Sequence, residues 1–126
     1  MEALLDRFGG RVLVADGAMG TLLSGSGPSG SAPPEEILLE DPDRVRDAHR
    51  EYAAAGADIL VTDTYGAGRL KLSEFGLESR QRDIVDRAVF AARSGASGRN
   101  CLVAGSIGPL GSFLAPFGPV RPAEAS

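Results

Sequence analysis

Three apolar runs of this sequence each end in polar residues and glycine, and those ends hold the side chains best suited to chemistry. The runs and the residues that follow them are 12–15 with Asp16, 59–61 with Asp63, and 102–104 with Ser106. A buried carboxylate is costly unless it is hydrogen-bonded or faces a ligand. Asp16 and Asp63 are therefore candidate ligand-binding groups, and the alternative for Asp16 is a simple turn with Gly17.

Helical patterns separate the runs and fix the order of elements. Asp41 and Pro42 are a good N-cap and first residue for a helix that ends before Gly56. A shorter helical piece is predicted over 67–75, and a longer helix over 79–93 with Gly95 as its stop. Strand, helix, strand, two helices and strand in this order predict a parallel sheet with right-handed crossovers.

The length of 126 residues suffices for one small domain but not for a (β/α)₈ barrel, which needs about 250. Only three strands are readable, residues 111–122 form an irregular run with three prolines, and residues 123–126 look like the start of a helix. We expect residues 1–126 to be the N-terminal part of a larger α/β fold.

Composition favours a cytoplasmic globular protein. The net charge of −4 predicts no general attraction to nucleic acid or to anionic membranes. No apolar run approaches the roughly 20 residues of a membrane span. Residues 1–8 carry two acids, have the pattern of a short lead-in helix and do not form a secretory signal. Cys101 is the single cysteine, which precludes an internal disulfide.

Four further features have simpler interpretations. Residues 25–30 match G-x-G-x-x-G but lack the preceding strand that a dinucleotide site requires, so a loop is favoured. Residues 105–111 could cradle a phosphate with backbone amides. They lack the lysine of a P-loop, and a glycine-rich strand exit explains them equally well. His49 is expected to be packed inside a helix face, and Cys101 to be a small core residue.

Several motifs together resemble the homocysteine S-methyltransferase family, the homocysteine-binding domain shared by cobalamin-dependent methionine synthase and betaine–homocysteine methyltransferase. Residues 16–21, Asp-Gly-Ala-Met-Gly-Thr, resemble the family's first-strand motif. Residues 54–67, from Ala-Ala-Gly-Ala-Asp to Asp-Thr-Tyr-Gly-Ala, look like its second unit, which 69–72 and 75–77 continue. Residues 105–109, Gly-Ser-Ile-Gly-Pro, look like its third strand end.

The resemblance implies that the chain is the N-terminal βαβαβ part of a (β/α)₈ TIM barrel, incomplete at its C-terminus. It implies a catalytic zinc that holds homocysteine as a thiolate, so that the sulfur attacks a methyl donor and forms methionine. The donor in one branch is methyltetrahydrofolate acting through cobalamin. The implied partners of this segment are homocysteine, the rest of the barrel and further domains.

The resemblance also implies site residues. Asp16 matches the acid that holds the amino group of homocysteine, and the Gly17 backbone lines the same pocket. Thr64, Tyr65 and Ser106 stand at strand ends that face it. Asp63 is a departure, because the family commonly has asparagine there.

The family holds its zinc with three cysteines late in the barrel, and Cys101 matches none of them. We therefore expect the zinc cysteines to lie beyond Ser126, with no metal ligand in this segment. It follows that residues 1–126 alone should neither bind the catalytic zinc nor transfer methyl groups. Two alternatives stay open: a non-catalytic remnant or binding module, and an unrelated small α/β lyase or phosphate-binding protein.

Overall fold

A computed structural model describes residue 9 and residues 12–24 and 33–124. The helices are α1 Met19–Ser24, α2 Ile37–Glu40, α3 Pro42–Ala55, α4 Arg69–Ser73 and α5 Gln81–Gly95, with 3₁₀ turns at Pro34–Glu36, Glu78–Arg80 and Pro122–Glu124. The strands are β1 Ile59–Val61 and β2 Leu102–Ala104.

Three of the sequence predictions fall partly or wholly on residues outside these ranges. The lead-in helix over 1–8 and the glycine-rich loop 25–30 lie outside the described residues. The predicted start of a helix over 123–126 is described only as far as Glu124, where the chain forms a 3₁₀ turn, and Ala125 and Ser126 lie outside the described residues.

The two strands pair in parallel, with Ile59 opposite Leu102 and Val61 opposite Ala104. The chain between them passes through α4 and α5, as the order of elements predicts. The mixed α/β class is thus confirmed.

The predicted buried strand over 12–15 is not confirmed among the described residues. This run meets β1 through a single parallel bridge between Ala15 and Ile59, and its backbone contact is limited to a few bonds such as Asp58 N to Val14 O at 2.7 Å. Val12 is 88% exposed and Val14 56% exposed. Branched side chains gave the run its strand pattern, but among the described residues nothing covers them.

Helix α3 confirms its predicted limits. The Asp41 carboxylate accepts a hydrogen bond from the Arg44 amide at 3.2 Å, Pro42 is the first helical residue, and Gly56 ends the helix at φ 103°. The buried side chains of this helix are those of Val45, Ala48, His49 and Ala53. They point toward α5 and the sheet, as the spacing predicts.

Helix α5 runs two residues further than predicted and includes Gly95, which was predicted to follow the helix as its stop. Gly95 is the last helical residue and is buried against α3. A Cβ placed there would lie 2.6 Å from the His49 Cβ and 2.9 Å from the Arg46 carbonyl oxygen. Gly98, at φ 75°, takes the left-handed conformation instead. The glycine serves the close approach of two helices, which a local pattern does not reveal.

The main core lies among α1–α5. Its fully buried side chains include Leu38, Val45, Leu72 and Ile84, and small residues such as Ala88 let α3 and α5 pack closely. Gly76, at φ 69°, ends the helical piece around α4 as predicted. In the part of the chain that the structure describes, no helix is both long and apolar enough to cross a bilayer.

Candidate functional site

The carboxyl ends of β1 and β2 are joined by a closed set of hydrogen bonds. The Ser106 amide donates to Thr62 Oγ1 at 3.0 Å, the two threonine hydroxyls of residues 62 and 64 are 2.8 Å apart, and Thr64 Oγ1 donates to the Ser106 carbonyl at 2.8 Å. With Thr64 donating to Ser106, the Thr62 hydroxyl must donate to Thr64. Each hydroxyl is thereby satisfied, and the two strand ends are held together.

This arrangement brings two of the predicted site residues, Thr64 and Ser106, into contact. It also includes Thr62, which sequence reasoning missed, because a threonine within an apolar run is typical of any strand. Tyr65 is 65% exposed. A Cβ at residue 108 would collide with the Tyr65 carbonyl oxygen, so Gly108 lets the two strand exits stack.

Asp16 stands beside the same sheet. Its amide donates to the Ile59 carbonyl at 2.9 Å, and its Oδ2 accepts a hydrogen bond from the Val61 amide at 3.0 Å. The carboxylate thus takes the place that a strand carbonyl would occupy next to β1. The side chain is only 4% exposed, so the sheet edge fixes its orientation.

His49 faces the same carboxylate from α3. Its Nδ1 lies 3.5 Å from Asp16 Oδ2, and the imidazole is completely buried. Neither ring nitrogen has a well-aligned hydrogen bond among the described residues. Burial lowers the pKa of His49 and raises the pKa of Asp16, and in each case the charge of the other group opposes the shift. Burial thus favours the neutral imidazole, whose Nδ1 faces the carboxylate.

Gly17 lies against Tyr52 of α3. A Cβ at residue 17 would be 2.9 Å from the Tyr52 hydroxyl oxygen, and that hydroxyl donates to the Ala18 carbonyl at 3.3 Å. The glycine allows α3 to approach the segment that follows Asp16.

A second buried acid lies at the end of β1. Asp63 is 9% exposed, its Oδ2 has no partner among the described residues, and burial raises its pKa to about 6. The nearby Glu35 carboxylate adds to that rise. Glu35 is itself 3% exposed, with one oxygen bonded to the Gly66 amide and Oε2 unpartnered among the described residues.

Gly66 makes room for this acidic pair. A Cβ there would lie 2.5 Å from one Glu35 oxygen and 2.6 Å from the other. Sequence reasoning marked Asp63 as a departure but missed Glu35, which lies 31 residues before Gly66 in a segment without a strand or helix pattern of its own.

The donor set for a three-cysteine zinc site does not fit these residues. Cys101 is the only cysteine of the sequence, and its Sγ lies 3.1 Å from the Ala57 carbonyl oxygen at the opposite end of β2 from Ser106. Within the described ranges, no three His, Cys, Asp or Glu side chains are grouped closely enough to hold a metal ion. That the family's zinc cysteines lie beyond Ser126 stays a prediction, because no described residue tests it.

Comparison with known proteins gives concordant results. The family model for homocysteine S-methyltransferase matches residues 13–126. A methionine synthase from Mycobacterium tuberculosis is 37% identical over 117 residues, which are 84% of this chain and 10% of that protein. A homocysteine S-methyltransferase from Escherichia coli is 32% identical over 126 residues, or 91% of this chain and 40% of that protein.

Solved structures show the same partial match. The homocysteine methyltransferase MmuM from Escherichia coli superimposes with a TM-score of 0.72 in its oxidized form, at 31% identity, over 87% of this chain and 41% of that one. Its metallated form gives 0.71 at 30% identity. The chain thus spans about two fifths of the length of these homocysteine methyltransferases and a tenth of the methionine synthase.

Proposed function

This chain belongs to the homocysteine S-methyltransferase family, and we propose that it forms the N-terminal part of a (β/α)₈ barrel that binds the amino-acid end of homocysteine. The Asp16 carboxylate, held at the edge of β1 by the Val61 amide, carries the proposal. Barrel enzymes place their active sites at the carboxyl ends of the strands, where Asp16, Thr64 and Ser106 lie.

The residues of this chain have distinct proposed roles. Asp16 Oδ2 accepts the Val61 amide, and Oδ1 would receive the substrate ammonium. Thr64 and Ser106 hold the two strand exits at a fixed separation. Tyr65, which is exposed beside them, and the backbone of Gly17 would line the pocket.

Methyl transfer needs a group that these residues do not supply. In the intact enzyme a zinc ion would lower the pKa of the homocysteine thiol and so provide the attacking thiolate. One cysteine does not make the family's three-cysteine site. We therefore propose that residues 1–126 bind and orient the substrate, while the metal ligands and the recognition of the donor, such as methyltetrahydrofolate acting through cobalamin, lie elsewhere in the enzyme.

A second candidate is a homocysteine-binding module without transfer activity. The two candidates share the same substrate contact and differ only in whether metal ligands complete the site. Methionine formation from homocysteine and a methyl donor separates them.

The substrate contact is tested by titrating the protein with homocysteine and comparing Asp16→Asn with the unchanged chain. A charge-assisted hydrogen bond is worth about 1.5–3 kcal/mol, so the dissociation constant should rise about ten- to a hundredfold. Asp86→Asn makes the same chemical change on an exposed helix face and should have no effect. Equal affinities of the Asp16→Asn variant and the unchanged protein would reduce Asp16 to a turn-forming residue.

A further inference from the structure

His49 is the one histidine of the sequence, and its position is unusual for a core residue. The imidazole is fully buried in α3, and Asp16 Oδ2 lies 3.5 Å from its Nδ1. Leucine would fill a purely packing role better, since burying a polar ring without hydrogen bonds is unfavourable. Among the described residues, the polar group that faces the ring is the Asp16 carboxylate.

The surroundings hold the ring in this place. Gly95 of α5 lies against the His49 Cβ, where any side chain on residue 95 would collide. The Val61 amide donates to the same oxygen that His49 faces, at 3.0 Å. The Val61 amide of the sheet and the His49 Nδ1 of α3 thus approach Oδ2 from different elements.

We infer that His49 is a positioning residue that fixes the Asp16 carboxylate so that its other oxygen receives the ammonium group of an α-amino acid substrate. This inference rests on the proposed function of Asp16. The imidazole, with Nδ1 3.5 Å from Oδ2, restricts rotation of the carboxylate. In its neutral form it adds no positive charge that would compete with the substrate ammonium. A protonated partner such as lysine would hold the carboxylate equally well but would repel the ligand.

The test uses two ligands that differ in one group. Homocysteine carries the ammonium, and 4-mercaptobutanoate is the same molecule without it. His49→Leu removes the donor, and His49→Asn keeps an N–H close to the position of Nδ1. We expect His49→Leu to weaken homocysteine binding about tenfold, the value of one lost hydrogen bond to a charged group, and His49→Asn to restore most of it. Binding of 4-mercaptobutanoate should change less than about twofold in both.

A purely structural role gives a different pattern. Loss of packing would weaken the binding of both ligands equally. Ile84→Ala, which removes packing from the fully buried core, is the control for that pattern. Equal weakening of both ligands by His49→Leu overturns the inference. So does unchanged homocysteine affinity in His49→Leu when Asp16→Asn weakens it. If Asp16→Asn has no effect either, the assignment of Asp16 fails as well.

A spectroscopic measurement on the unchanged protein keeps the inference testable if His49→Leu does not fold. With a single histidine, ¹⁵N-labelled imidazole gives one pair of nitrogen resonances. Homocysteine should move the Nδ1–H signal, because the ammonium draws charge from the carboxylate it is bonded to, and 4-mercaptobutanoate should leave it in place. A signal that responds identically to both ligands, or to neither at saturating homocysteine, overturns the inference.

Discussion

Asp16 and Asp63 are both buried acids at the edge of the same small sheet, yet their surroundings are opposite. Asp16 Oδ2 accepts a backbone hydrogen bond and faces a neutral imidazole. Asp63 Oδ2 has no partner among the described residues, and its charged neighbour is the carboxylate of Glu35. Donors from the chain favour the charged form of Asp16, whereas burial and the Glu35 carboxylate favour the protonated form of Asp63.

This difference indicates that Asp16 is oriented to bind a ligand, whereas Asp63, when ionised, lowers the stability of the fold. The hydrogen bond from the Val61 amide and the nearby His49 oppose the rise in the Asp16 pKa that burial causes, and so favour the charged form that can bind a cation. The Asp63 and Glu35 pair repels itself when both groups are ionised, and a raised pKa is the usual response. An asparagine at position 63 would avoid this repulsion.

The largest expected effect comes from disturbing the packing around His49, the residue that faces Asp16. Gly95→Ala places a methyl group 2.6 Å from the His49 Cβ and 2.9 Å from a backbone oxygen of α3, so the two helices must separate. Overpacking of this kind costs typically about 1–3 kcal/mol and more where backbone must move, so we expect a loss of about 3 kcal/mol or more. Urea unfolding followed by circular dichroism measures it. A loss no larger than that of an ordinary surface substitution would mean that α3 and α5 are not in close contact.

In the surroundings of Asp63, the substitution Asp63→Asn should have the opposite effect and stabilise the protein. The pKa of Asp63 is about 6 in the folded chain against 3.8 for an aspartate in water, so the folded state binds this proton more tightly than the unfolded state. Stability therefore falls as pH rises from about 4 through about 6 and stays lower above it. At about 1.36 kcal/mol per pKa unit, the gain from asparagine at pH 8 is about 2–3 kcal/mol.

Unfolding of both proteins at pH 4 and at pH 8 checks the sign as well as the size. The two stabilities should nearly coincide at pH 4 and diverge at pH 8, with the asparagine variant the more stable. Asp86→Asn, on an exposed face, serves as the control and should show no such divergence. A variant that is less stable than the parent at pH 8 would show that ionised Asp63 has a stabilising partner.

The sequence correctly predicts features that depend on neighbouring residues, such as helix ends. It misses features that depend on residues distant in the chain. The cap of Asp41, Pro42 at the helix start and Gly56 at its end each depend on residues within about one turn, so their pattern is sufficient. The partners that distinguish Asp16 from Asp63 are His49 and Glu35, which come from other elements. The spacing of apolar residues predicts that the histidine is packed, but nothing in its helix indicates which acid it faces.

The same limit explains the errors in the fold. Residues 12–15 have the composition of a buried strand, but a buried strand needs neighbours on both sides, and β1 provides one. The pattern predicts Gly95 as a stop because glycine ends helices, whereas its use here depends on α3. Thr62 has no signal in the sequence, because its hydroxyl acquires a role only when β2 brings the Ser106 amide to it.

The smallest expected effect sharpens the comparison by changing the neighbour of Asp63 instead of Asp63 itself. Glu35→Gln removes the like charge but leaves the site buried, and the amide oxygen can still accept from the Gly66 amide. Because burial is the larger cause of the raised pKa and Glu35 the smaller one, the pKa of Asp63 should fall below about 6 yet stay above 3.8. The stability gain at pH 8 should then be smaller than for Asp63→Asn. Carbon-13 NMR of the labelled aspartate carboxyls follows the titration directly. A full return to 3.8 would assign the shift to charge repulsion alone, and no change would mean that Glu35 does not act on Asp63.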